Sequence, residues 1–163
     1  MVLLSKSYRS TAPINAFAFD LLGINDPGMY VDRPGKEPEE IITEDMIGKL
    51  YEIIKQTSPD RSIGIMTCDK ETAYDLKHKV GNHIESLDRN VEYIWKPDRE
   101  IQEKITVMPI MLAKGLEFDI VVVWDNKPEQ FWEQNPHLKY LMCTRALHEL
   151  YILKEADQNT DFE

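Results

Sequence analysis

Short apolar runs alternating with longer amphipathic stretches are the feature that most limits what this chain can fold into. Val2-Leu3-Leu4, Ser62 to Thr67, Val91 to Trp95, Lys104 to Met108, Ile120 to Trp124 and Leu150 to Leu153 have the length and apolar content of strands. Between most of them lie helical patterns of roughly ten residues or more. Parallel strands need crossovers of that size, and strands buried on both faces read as nearly continuous apolar runs. The alternation predicts an α/β domain, a three-layer α/β/α arrangement with a mostly parallel sheet.

Local signals place the helices. Ser10 or Thr11 can cap a helix with Pro13 in its first turn and Ile14, Phe17, Ala18, Leu21 and Leu22 on its apolar side, stopping near Gly23. Residues 24–40 read as a loop rich in proline and charge, with a short strand at Met29-Tyr30-Val31. Thr43 is placed to cap the next helix, with Glu44 and Asp45 in its first turn and Ile47, Leu50, Tyr51 and Ile54 as its stripe. Asp69 caps another that reaches about Ile84. Asn135-Pro136 opens the last helix, expected to run through about His148. Residues 1–154 then form one domain and 155–163 a polar, acidic, frayed tail.

Composition narrows the function. The 163 residues suit a single domain, and no apolar stretch is long enough for a membrane span. Cys68 and Cys143 have no CxxC partner and read as reduced, buried thiols of a cytoplasmic protein. His78, His83, His137 and His148 are too scattered for a metal site. Acidic residues outnumber basic ones 29 to 19, for a net charge of −10. Such a chain lacks the basic face that drives unaided binding to phosphate backbones. Met108 and Met111 read as packing residues and Trp124 as core. Trp95, Phe131 and Trp132 read as cover for the sheet edge or a neighbouring domain.

Three segments carry chemistry. Tyr8-Arg9-Ser10-Thr11 follows the first strand, Ala113-Lys114-Gly115-Leu116-Glu117-Phe118-Asp119 lies between two strands, and Leu141-Met142-Cys143-Thr144-Arg145-Ala146 precedes the last strand. In that order they resemble motifs IV, V and VI of the UvrD-like superfamily-one helicases. By that resemblance motif IV lies near 8–11, motif V near 106–119 and motif VI near 141–147. The resemblance spans nearly the whole chain and implies a RecA-like domain, the second of two that hold ATP between them.

The resemblance also implies roles. Arg9 and Arg145 would face the γ-phosphate, where guanidinium offers a permanent charge and a fork of donors. Glu117 would accept from the ribose hydroxyls, and Gly115 would let the backbone approach the nucleotide closely. Lys114 and Thr144 would couple the nucleotide to nucleic acid. No Gly-x-x-x-x-Gly-Lys-Ser/Thr occurs, so the β- and γ-phosphate cradle and the Mg²⁺ site belong to an N-terminal RecA-like domain of a longer parent chain, and this fragment alone is expected to be inactive. Val121-Val122-Val123-Trp124-Asp125 has the look of a Walker B strand, but its place directly after motif V makes it a structural strand.

One departure bears on the track. The repair helicases carry Thr-x-His before Ala-Lys-Gly, where this chain has Pro109 and Met111, side chains that cannot donate to phosphate. The variant is closer to the HelD-like branch, and residues 23–105 leave no room for the large insertion of the repair enzymes. By the motifs DNA is the first expected partner, and RNA polymerase is the alternative that Pro109 and Met111 favour.

Overall fold

The computed structural model describes residues 10–23, 33–97 and 100–156. The expected strands at Val2–Leu4 and Met29–Val31 lie outside the described residues, as do Tyr8 and Arg9. In chain order the elements are α1 (Ala12–Leu21), β1 (Glu39–Thr43), α2 (Met46–Gln56), β2 (Ile63–Thr67), α3 (Lys70–Ile84), β3 (Val91–Tyr93), β4 (Ile105–Pro109), β5 (Phe118–Asp125), α4 (Glu129–Gln134), α5 (Pro136–Cys143) and β6 (Ala146–Glu155). Single turns of 3₁₀ helix, Glu85–Leu87 and Ile110–Leu112, follow α3 and β4.

The six strands form one sheet in the order β1-β6-β5-β2-β4-β3, every pair parallel. Alternate side chains feed two cores, as the period of a strand requires. Ile63, Ile65, Ile105, Val107, Ile120, Val122, Tyr151 and Leu153 meet α2 and α3 on one face. Met66, Met108, Val121, Val123, Leu150 and Ile152 meet α1, α4 and α5 on the other. The expected α/β/α layering is what the chain adopts.

Caps follow the helix-end chemistry. Asp69 accepts from the Thr72 amide at 2.7 Å and starts α3 where the sequence placed it. α2 starts two residues later than expected: Asp45 is its cap, accepting from the Gly48 amide at 2.9 Å, while Thr43 ends β1 and takes the Asp45 amide. Gly48 has no room for a side chain because the Asp45 carboxylate fills that space. α1 begins at Thr11, whose hydroxyl makes no capping bond, and ends on Gly23 at φ +67°. Arg89 closes the other end of α2, donating from Nη1 to the carbonyls of Ile54 and Thr57 at 3.1 and 3.3 Å.

Three elements differ from expectation. β1 was read as loop; it is an exposed edge strand, with Ile42 68% exposed, held by its register against Tyr151–Glu155 of β6. α5 stops at Cys143 rather than near His148, because residues from Ala146 onward pair with β5. Trp132, read as cover for the sheet edge or a neighbouring domain, is instead buried in the second core, with partly buried Phe131 packed edge-on against it. Trp124 is core as expected, and Trp95 is half-exposed beside β3.

Gly64 on β2 carries the position of motif V. A side-chain carbon there would sit 2.5 Å from the Phe118 ring. Gly64→Val therefore overpacks the start of β5 and should cost about 1–3 kcal/mol in denaturant unfolding. Asp69→Ala removes one cap bond and should cost about 1 kcal/mol in the same measurement.

Candidate functional site

Motif V is a pair of tight turns between β4 and β5. The Ala113 amide bonds to the Ile110 carbonyl and the Leu116 amide to the Ala113 carbonyl, each at 3.0 Å. Gly115 takes φ +80°, a conformation that favours glycine. Among the described residues nothing lies within 4 Å of where its side chain would begin, so backbone conformation and not crowding calls for glycine. Lys114 and Gly115 are exposed and Glu117 is half-buried. Met111 was expected to pack; it is 60% exposed, because its turn carries it off the sheet, while Met108 on β4 is fully buried.

Motif VI is the turn that ends α5. The Thr144 amide reaches the Tyr140 carbonyl at 3.0 Å, and its hydroxyl donates to the Leu141 carbonyl at 2.9 Å. Thr144 is buried, so it shapes the turn. Arg145 follows, with Nη2 3.4 Å from the Thr144 hydroxyl. Its Nε is buried and has no hydrogen-bond partner among the described residues. A buried guanidinium N–H left unpaired carries a desolvation cost that an anion at this place would relieve.

The segments meet at one rung of the sheet. The Phe118 amide donates to the Arg145 carbonyl at 2.9 Å, and Phe118 stands opposite Ala146. Glu117 and Arg145 are thus the residues just before two paired strands and leave the sheet side by side. Ser10, the residue after Arg9, is buried, and its hydroxyl donates to the Ala146 carbonyl. Asn15 of α1 holds the Ser10 carbonyl at 3.1 Å. The described end of motif IV is therefore pinned to the rung that joins motifs V and VI.

Two participants were missed from sequence. Ser10 was read as a possible helix cap and a member of motif IV without a role of its own, whereas its hydroxyl ties the start of α1 to β6. Asp119 was given no role, yet its carboxylate accepts from the Ser62 amide at 2.8 Å while the Ser62 hydroxyl accepts from the Asp119 amide at 2.9 Å. This reciprocal clamp fixes the start of β5 against the chain entering β2. The adjacency of Ser10 and Asp119 to the motif arginine and glutamate was the available signal.

Other candidates are occupied by structural work. Asp125, the end of the Walker B look-alike, accepts from Trp132 Nε1 at 2.7 Å, Lys139 Nζ at 3.0 Å and the Lys127 amide at 3.3 Å. Its side chain is fully buried, which leaves no face for a metal. Among the described residues no group of three or more His, Cys, Asp and Glu could hold one. Cys68 and Cys143 are both free, and burial pushes their thiols up to about 11 and about 12. Burial of this kind disfavours the thiolate. Among the described residues no helix is long and apolar enough to cross a membrane.

No family model matches this chain, and no curated protein matches it in sequence. Among solved structures it is similar to the crystal structure of the C-terminal domain of a possible DNA helicase from Lactobacillus plantarum WCFS1, with a TM-score of 0.73 and 26% identity over 93% of this chain and 89% of that one. The chain thus has a RecA-like α/β/α fold of the kind seen in a helicase C-terminal domain.

Proposed function

We propose that this chain is the second motor domain of an ATP-dependent DNA helicase or translocase, a cytoplasmic protein of the UvrD-like superfamily-one class. The observation that carries the reading is the convergence of Ser10, Glu117 and Arg145 on the Phe118–Ala146 rung. In this reading ATP lies against the ends of β5 and β6, and an N-terminal domain of the parent chain holds the phosphate cradle and Mg²⁺.

The residues of this chain then divide the work. Arg145 offers the γ-phosphate a guanidinium whose Nε lacks a partner among the described residues. Charge growing on the phosphoryl oxygens in the transition state is stabilised by such a group in a fixed position. Arg9, by the order of the motifs, adds a second guanidinium. Glu117 takes the ribose hydroxyls, and Gly115 admits the nucleotide to the backbone. Thr144, tied to the Arg145 guanidinium, and exposed Lys114 carry the nucleotide state toward the nucleic-acid side.

A second reading is an ATP-driven factor of the HelD type that remodels RNA polymerase. It draws on Met111, 60% exposed where the repair helicases have a donor to the nucleic-acid backbone.

The test is steady-state ATPase of this chain joined to its Walker A-bearing domain, with and without single-stranded DNA. Arg145→Ala should lower kcat by about 10³–10⁵-fold while nucleotide binding changes little. Arg145→Lys should recover only part of the loss, since a point charge cannot replace the fork. Unchanged turnover in Arg145→Ala would remove the arginine from the mechanism. Single-stranded DNA that leaves the wild-type rate unchanged would favour the RNA polymerase reading.

A further inference from the structure

A cavity of about 510 Å³ runs between the motif V turns and α5. Ile110, Met111 and Lys114 form one wall, and Leu138, Leu141 and Arg145 the other. Leu138 and Leu141 share one face of α5, three residues apart, and Arg145 lies just past the end of that helix. Leu141 is 42% exposed and Met111 is 60% exposed, so two large apolar side chains face solvent across the same groove. Exposed apolar surface gathered in a concave place is a hallmark of binding.

Charge narrows the occupant. Among the described residues the groove is lined by two cations, Lys114 and Arg145, and by no carboxylate. That is notable in a chain whose net charge is −10. A nucleic acid would satisfy the cations but not the walls. A base seated between Met111 and Leu141 would meet hydrocarbon and thioether, and among the described residues the lining has no carboxylate, amide or hydroxyl side chain to read its edge. An apolar side chain has no such edge.

We infer that this groove docks a protein segment presenting bulky apolar anchors at helical spacing, flanked by carboxylates that pair with Lys114 and Arg145. The mode is an amphipathic helix laid in a groove. It goes beyond the nucleotide reading and does not require the partner to be RNA polymerase. Because Arg145 also ends the motif VI turn, a carboxylate bound there competes for the guanidinium that the nucleotide reading assigns to phosphate. Docking would thereby restrain the motor.

Binding can be read without nucleotide, which separates this inference from the ATP reading. The probe is a fluorescein-labelled peptide with Leu and Phe anchors at three- and four-residue spacing and Glu elsewhere, titrated with the full chain by anisotropy. The paired substitutions Met111→Gln and Leu141→Gln touch exposed side chains and should leave thermal unfolding unchanged. They should weaken the peptide by at least about tenfold. A peptide with Lys in place of Glu should not bind. The inference is overturned if the acidic peptide fails to bind, or binds the double variant as well as the wild type. It is equally overturned if a dT oligonucleotide binds the wild type and loses that affinity in the double variant, which would give the groove to nucleic acid.

Discussion

The amide of Phe118 bonded to the carbonyl of Arg145 opens the pairing of β5 with β6, and much of the molecule is arranged around that bond. Upstream of Phe118 the chain must cross from the end of β4, which it does through two turns and one glycine at positive φ. Upstream of Arg145 it must leave α5, which it does by folding the Thr144 hydroxyl back on Leu141. Ser10 then brings α1 to the next carbonyl along, at Ala146. Gly64 allows Phe118 to lie flat over β2, and the Ser62–Asp119 clamp holds that strand start in place. A change at any of these positions acts on the same rung. That is why residues so far apart in sequence can bear on one patch of surface.

Layering and strand order were unequally legible from the residues. Runs such as Ile120 to Trp124 are apolar on both faces, and only a sheet covered twice uses such a sequence. β1 had no such signature, since Glu39-Glu40-Ile41-Ile42-Thr43 is half charged and mostly exposed. It is a strand because β6 offers it an open edge, which no local pattern reveals. The end of α5 was misjudged for the same reason. Ala146 to Glu149 suit a helix by propensity, and pairing with β5 overrides that weak preference.

The motifs named candidate residues but could not give the scaffolding around them. Glu117 and Arg145 directly precede the paired starts of β5 and β6, with Gly115 two residues before Glu117. The motif could not say that the Arg145 Nε lacks a partner among the described residues or that Thr144 is buried, since both depend on how α5 ends. Nor did it distinguish Met108 from Met111. One faces the core from a strand and the other, three residues on, leaves the sheet on a 3₁₀ turn.

The account turns on where the Arg145 guanidinium points when a nucleotide is bound. A crystal structure of the two-domain parent with ADP and aluminium fluoride would settle it. The account predicts an Arg145 nitrogen at about 3 Å from a fluoride and the Glu117 carboxylate at hydrogen-bonding distance from the ribose. Arg145 turned into the groove beside Leu141, with another residue on the fluoride, would contradict it.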